Sequence, residues 1–358
     1  MHSLTHNRFS WMLAEGWLGR FFDLARKVED QESPTPRLGL ALSCGGARGL
    51  AHIGAIQVLE KERIPIATII GSSMGSYVGS LWAAGISGAE LEELAAEIKD
   101  RRALLRLIDP VCPPTSGFIR GNKVRKLLER TLGDITIKDL QIPTLIVATN
   151  LDTLSGEILP PDTSVAAAVH ASCAIPGICS PVKLDGKRYI DGGAAQPLPV
   201  SLLREHTSVD AIIAINVMAT SADVSACIDA YPAPPPAAGS VPARMRRFLN
   251  ASLNLFAYGN VLDTFKRCLS SAQLRLLASE SAAADVLIHP YLCESRWYDY
   301  ENFERYIEAG RKAAEDALPH IHALLNLKTE SLHIDSNLKP NPSHEPVPLI
   351  TSVGCGSA

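Results

Sequence analysis

The residues in this sequence best placed to do chemistry are a serine set between glycines, Gly71-Ser72-Ser73-Met74-Gly75. The pentapeptide fits G-x-S-x-G, and its surroundings give it meaning. Ile66-Ala67-Thr68-Ile69-Ile70 before it is short, apolar and β-branched, as a buried strand is. Ser76-Tyr77-Val78-Gly79-Ser80-Leu81-Trp82-Ala83-Ala84 after it reads as a helix rich in small residues. A strand that turns sharply into a helix strains its corner residue and presents a hydroxyl above the sheet edge. Gly71 and Gly75 fit that corner, because a Cβ at either position would crowd it. The helix N-terminus behind Ser73 favours the negative charge of an alkoxide-like nucleophile. The chemistry implied is nucleophilic attack by Ser73, against the plainer alternative of a tight Gly/Ser turn before a buried helix.

A second constellation lies upstream. Leu38-Gly39-Leu40-Ala41-Leu42-Ser43 reads as a strand, and it runs through Cys44-Gly45-Gly46-Ala47-Arg48-Gly49 into an amphipathic helix from Leu50 to Glu60. A glycine loop at a helix N-terminus turns backbone N–H groups toward an anion. That anion is either a dinucleotide phosphate or the oxyanion formed when a serine attacks a carbonyl. The dinucleotide fingerprint G-x-G-x-x-G fails at its first glycine, which is Cys44, and the acidic residue expected after the next strand is missing. The neighbouring nucleophile turn therefore favours the oxyanion hole. A third signal is Asp191-Gly192-Gly193, at the end of a strand that follows the hairpin turn Asp185-Gly186.

The ordered trio Cys44-Gly45-Gly46-Ala47-Arg48-Gly49, Gly71-Ser72-Ser73-Met74-Gly75 and Asp191-Gly192-Gly193 resembles the patatin-like phospholipases, which carry G-G-G-x-R-G, G-x-S-x-G and D-G-A/G in that order. Ala148–Glu157 and the stretch Ala171-Ser172-Cys173-Ala174-Ile175-Pro176-Gly177 resemble further segments of that family. The likeness is strong over residues 37–205 and weaker to about residue 325, and it is nearest to compact bacterial members. It implies a three-layer α/β/α fold with a mostly parallel central sheet. It also implies a Ser–Asp dyad without histidine, in which Ser73 is the nucleophile and Asp191 the general base. Gly45 and Gly46 then match the oxyanion hole. Arg48 matches a residue that meets the substrate's phosphate or fixes the loop, with Cys44, Gly49, Gly71, Gly75, Gly192 and Gly193 as supporting positions. The substrate class implied is a lipid or lysolipid ester, with no cofactor and no metal. Cys44 departs from the family pattern: if that position needs a positive φ, the loop is strained, which points to a low-turnover regulatory or lipid-binding protein; if it is only the last residue of the strand, the reading favoured because the two later glycines remain, nothing is lost. Acyl transfer to an alcohol is the other enzyme alternative.

Histidine offers a competing base. An ordinary α/β-hydrolase orders its triad Ser…Asp/Glu…His, and His206 and His289 both lie downstream of Asp191. His206 reads as solvated and His52 as structural, so His289, after the strand-like Val286-Leu287-Ile288, is the alternative to test.

The rest of the chain must carry these groups. With 358 residues and 46% hydrophobic content it can bury one large core, and strand and helix patterns alternate from residue 38 to 217. A net charge of −4 argues against nucleic acid. No apolar run approaches the ~20 residues that span a bilayer. Eight scattered cysteines with no C-x-x-C, and an opening that does not read as a signal peptide, give reduced thiols and a cytoplasmic location as expectations. Peripheral membrane contact and homo-oligomerisation stay open. Three divisions are expected: an N-terminal extension over 1–32, the hydrolase domain over 33–325 and an unstructured tail over 326–358. Within the first, residues 8–28 place Trp11, Ala14, Leu18, Phe21, Phe22 and Ala25 on one helical face. Residues 219–243, rich in proline around Tyr231–Pro236, read as a loop, and a helix follows from about Arg244.

Overall fold

The structure, a computed structural model, describes residues 36–98, 106–113, 116–227, 261–293, 295 and 297–337. Residues 36–324 form one compact unit, and residues 1–35 and 325–358 are grouped in a second. In chain order the strands are β1 (Leu38–Leu42), β2 (Ile66–Ser72), β3 (Thr144–Asn150), β4 (Ser155–Ile158), β5 (Val182–Leu184), β6 (Lys187–Asp191), β7 (Ala211–Ile215) and β8 (Val286–Ile288). The helices are α1 (Ala51–Lys61), α2 (Met74–Ala83), α3 (Gly88–Glu97), α4 (Asn122–Leu132), α5 (Val165–Ser172), α6 (Val200–His206), α7 (Ser221–Ala226), α8 (Val261–Ala283) and α9 (Phe303–Asn337).

The strands form one sheet in the order β5-β6-β3-β2-β1-β7-β8, with β4 also paired to β3. The run β3-β2-β1-β7-β8 is parallel. The remaining pairs, β3 with β4, β3 with β6 and β5 with β6, are antiparallel. Every residue of the central β1 is buried, as expected for a parallel strand covered on both faces. Side-chain alternation assigns the two faces. Leu42 and Ile69 point at α2, which approaches closely enough at Gly79 that a Cβ there would sit 2.9 Å from Leu42. Ala41, Ile70, Val147, Ile212 and Ala214 face the other way and pack with Leu203 of α6 and Leu277 of α8. Helices on both faces of a mostly parallel sheet give the three layers expected from the sequence, and burying each large apolar side chain contributes roughly 1.5–3 kcal/mol.

One close contact ties α9 to the glycine-loop side of the fold. Gly54 on α1 lies against the Ile307 carbonyl, and Gly310 on α9 lies against the Ala51 carbonyl. Neither site has room for a Cβ, so the two backbones meet with nothing between them.

Two expectations change. Residues 221–226 are helical, not loop, because Thr220 and Asp223 form a reciprocal capping box that satisfies the first turn. Helix α9 runs to Asn337, past residue 326, and the first residue of the tail that would stop a helix, Pro340, comes only after it. The amphipathic 8–28 segment, the proline-rich run and the helix expected from Arg244 lie outside the described residues.

The helix crossing generates a stability test. Gly54→Ala is expected to cost ~2 kcal/mol or more by forcing a Cβ into the Ile307 carbonyl, which lowers the thermal midpoint by roughly 5 °C in a chain this size. A midpoint equal to wild type would show that the two helices do not meet there.

Candidate active site

The site is made by two strand ends that meet on one edge of β3. Val147 pairs with Ser72 of β2 on one side and with Ile158 of β4 on the other, so β2 and β4 occupy opposite edges. The next residue, Ala148, pairs with Glu157 of β4 and with Asp191 of β6. Strand β6 therefore takes over the edge that β2 vacates, running the opposite way. The last residues of the two strands come head to head, which brings Ser73 and Asp191 together across 118 residues of sequence.

Ser73 Oγ donates to Asp191 Oδ2 at 2.5 Å. Ser73 stands between β2 and α2 with φ 53° and ψ −121°, a conformation L-residues avoid at a cost of about 1–3 kcal/mol. The neighbouring glycines permit it. A Cβ on Gly71 would sit 2.6 Å from Ser76 backbone atoms, and one on Gly75 would press into the Leu42 carbonyl. Two hydrogen bonds hold the corner: the Ser73 N–H donates to Ser172 Oγ at 2.8 Å, and Ser172 Oγ donates on to the Val147 carbonyl at 2.6 Å. The Ser76 hydroxyl donates to the Ser73 carbonyl at 2.6 Å.

Asp191 is held as firmly. Its Oδ1 accepts from the Gly193 N–H at 2.7 Å, and its own N–H donates to the Ala174 carbonyl at 2.8 Å. Gln273 of α8 donates to the Gly193 carbonyl at 2.7 Å and so fixes the turn behind the carboxylate. Asp191 is only 7% exposed. Burial pushes its carboxyl up from 3.8 to about 6, against the downward pull of the Ser73 and Gly193 hydrogen bonds. Two thiols lie close by. Burial first, and the Asp191 charge second, hold both Cys44 and Cys173 protonated, so neither competes with Ser73 as nucleophile.

The glycine loop follows β1. The N–H groups of Cys44 and Ala47 are engaged, by the Pro197 carbonyl at 2.8 Å and the Trp297 carbonyl at 2.7 Å. The Gly45 and Gly46 N–H groups between them have no hydrogen-bond partner among the described residues. Gly46 has φ 58°, and a Cβ on it would strike the Trp297 carbonyl; a Cβ on Gly45 would strike Val217. Cys44 is not among the residues with positive φ, so the departure at this position puts no strain into the loop. Its thiol lies against Gly193, where a Cβ would come within 2.5 Å of Sγ. Arg48 is occupied: its Nε donates to Ser295 Oγ at 2.8 Å, its guanidinium also donates to the Ser295 carbonyl at 3.1 Å, and it stands 5.9 Å from the Tyr291 ring. Of the two roles expected for Arg48, fixing the loop is the one its contacts serve.

None of the candidate histidines joins the pair. His289, at the end of β8, lies between the Asn216 carbonyl at 2.7 Å and the Asp223 carboxylate at 2.8 Å. His52 is buried against the Ser43 carbonyl at 2.9 Å, and burial lowers its pKa to about 4. His206 is exposed on its own helix, 3.1 Å from the Leu202 carbonyl. Asp185 and Gly186 both have positive φ and make the hairpin turn expected of them. Among the described residues, no group of three or more His, Cys, Asp or Glu is placed to hold a metal ion, and no helix is long and apolar enough to cross a membrane.

The expectation of reduced thiols is corrected. Cys227 and Cys293, 66 residues apart, form a disulfide with a Cα separation of 5.4 Å. Scattered cysteines do not reveal their pairing in sequence, because folding decides which two approach. The compositional ground for a cytoplasmic location goes with it.

Three supporting residues carried no assigned role in the sequence: Ser172, Gln273 and Ser295. Gln273 had a signal, a polar residue four positions before buried Leu277 on the apolar stripe of α8. Ser172 and Ser295 had none, since their roles arise from contacts 99 and 247 residues away.

The sequence profile of the patatin-like phospholipases matches residues 40–204. An uncharacterized NTE family protein of Mycobacterium tuberculosis is 39% identical over 207 residues, which is 56% of this chain and 54% of the relative. Lysophospholipase NTE1 of Saccharomyces cerevisiae is 30% identical over 201 residues, 55% of this chain and 11% of that protein. The chain thus spans about half the length of the mycobacterial relative. Among solved structures, VipD from Legionella pneumophila has a TM-score of 0.42 at 14% identity, covering 80% of this chain and 67% of VipD. Human GIVD cytosolic phospholipase A2 has a TM-score of 0.39 at 11% identity, covering 83% of this chain and 61% of that one.

The buried carboxylate generates a prediction about stability. Because the pKa of Asp191 is higher in the fold, about 6, than its ordinary 3.8, its ionised form weakens the fold above pH 6, and the penalty vanishes below pH 3.8. At neutral pH that penalty is ~3 kcal/mol at most. Asparagine keeps the shape, accepting from Gly193 with its oxygen and donating to Ser73 with its amide. Asp191→Asn is therefore expected to melt at a higher temperature than wild type at pH 8 and at the same temperature near pH 4. A lower melting temperature at pH 8 would contradict the buried, ionised carboxylate.

Proposed function

We propose that this chain, whose residues 40–204 match the patatin-like phospholipase profile, is a serine lipid acyl hydrolase of the phospholipase A, lysophospholipase or esterase type. The observation that carries the reading is the 2.5 Å hydrogen bond from Ser73 to a buried Asp191. A carboxylate at its ordinary pKa is a poor base toward a serine hydroxyl, whereas one raised to about 6 is stronger and still mostly ionised at pH 7.

In the first step Asp191 Oδ2 takes the Ser73 proton as Oγ attacks the ester carbonyl. The Gly45 and Gly46 N–H groups receive the oxyanion, and the N-terminus of α2 adds its positive end. Collapse expels the alcohol or lysolipid, which takes its proton from Asp191, and leaves an acyl-Ser73 ester. Water then attacks that ester with Asp191 again as base, releasing the fatty acid and free Ser73. Among substrates a lysophospholipid is favoured, by the likeness to the yeast lysophospholipase. The low-turnover alternative rested on strain at Cys44, and Cys44 has an ordinary φ.

The test is hydrolysis of p-nitrophenyl esters of increasing chain length. Ser73→Ala is expected to lose ~10³-fold or more in kcat, and Asp191→Asn ~10²–10⁴-fold. An unchanged rate in Ser73→Ala would sink the proposal, and an active Asp191→Asn would point to another base. Since only ionised Asp191 accepts the proton, kcat/KM is expected to fall tenfold per pH unit below about pH 6 and to level off above it. A profile flat from pH 5 to 8 would contradict Asp191 as the base.

A further inference from the structure

The glycine loop is held by a segment about 250 residues further along the chain. After β8 the chain returns over the loop. Trp297 accepts the Ala47 N–H at 2.7 Å and fills the space a Cβ on Gly46 would need. Ser295 accepts twice from Arg48, at 2.8 and 3.1 Å, and Tyr291 lies 5.9 Å from the same guanidinium. These contacts flank the Gly45 and Gly46 N–H groups, the two donors that the mechanism needs aimed at one point. The holding segment is itself tied to helix α7 at two residues, and to the Asn216 carbonyl through His289. Cys293 is bonded to Cys227 just past the end of α7, and His289 lies 2.8 Å from Asp223 within it. Helix α7 is a single capped turn and a half, so the covalent bond is the strongest tie between the two elements. Cys227 is buried and Cys293 is partly exposed.

We propose that the described residues between His289 and Trp297 are a strap that positions the glycine loop, and that the Cys227–Cys293 bond is its lock. Ser295 and Trp297 are positioning residues, since they touch the loop and not the reacting atoms. Opening the lock takes a two-electron dithiol reductant: the S–S bond breaks, Cys227 and Cys293 each become a thiol, and the dithiol leaves as its own disulfide. What the loop does rests on the hydrolase reading above; how it is held does not.

The test uses the full chain, oxidised or reduced with dithiothreitol, together with the Cys227→Ser/Cys293→Ser double variant, Ser295→Ala and Ser295→Thr. Two quantities are read: kcat and KM on a soluble p-nitrophenyl ester, and amide hydrogen exchange over residues 45–50. Reduction and the double variant are expected to speed exchange at the Ala47 amide and to lower kcat ~10-fold or more with KM little changed, as when an oxyanion donor is misplaced. Reoxidation restores wild type and not the double variant. Ser295→Ala keeps the disulfide and is expected to lower kcat alone, with Ser295→Thr recovering most of it. Exchange over 45–50 that is the same oxidised and reduced overturns the strap, whether or not the chain turns over an ester. Wild-type kcat in Ser295→Ala overturns the positioning role. Faster exchange on reduction in a chain with no Ser73-dependent turnover supports the strap and counts against the hydrolase reading alone.

Discussion

Strand β2 leaves the edge of β3 at Ser72, and β6 takes over that edge at the very next pairing, Ala148 with Asp191. This handover is the constraint on which the site depends. Parallel strands alone deliver their ends to one side of a sheet at lateral spacings of about 4.8 Å. Only an antiparallel strand entering the same edge from above brings a second residue head-on to the first. The antiparallel strands β4, β5 and β6 are the elements that make this possible, with β4 closing the far edge of β3 and β5 supporting β6.

The cost of the arrangement is concentrated in two residues. Ser73 occupies a backbone conformation that L-residues avoid, and Asp191 carries its charge out of water. Both are over-determined by neighbours: Ser172 and Ser76 around the serine, Gly193, Ala174 and Gln273 around the carboxylate. The same hydrogen bonds that keep Asp191 in place also limit how far burial raises its pKa, which leaves it basic yet ionised at neutral pH. The glycine loop differs. It is held at Cys44 by the Pro197 carbonyl, and at Ala47 and Arg48 by Trp297 and Ser295, about 250 residues further along the chain.

What the sequence made legible was whatever is local. The turn at Ser73 shows in five residues because the steric demand falls on Gly71 and Gly75 within that turn. The glycine loop and the Asp191 turn show for the same reason, and the apolar runs at Leu38, Ile66, Thr144 and Ala211 read as buried strands because both faces are covered. The close approach of α1 and α9 at Gly54 and at Gly310 was not legible, since an isolated helical glycine carries no sign of what it lies against. Nor was the pairing of Cys227 with Cys293, nor the role of Ser295, both of which depend on where a distant segment returns. The short helix α7 was hidden by the prolines that follow it, although Thr220 and Asp223 had the spacing of a capping box.

The most direct measurement is the identity and pH dependence of the residue that a long-chain alkyl fluorophosphonate modifies, followed by intact mass and peptide mapping. The expected result is a single adduct on Ser73, forming at a rate that falls below about pH 6 and by ~10²-fold or more in Asp191→Asn. An adduct on another residue, or labelling of Ser73 that is indifferent to both pH and Asp191, would contradict the buried Ser73–Asp191 pair as the reacting centre.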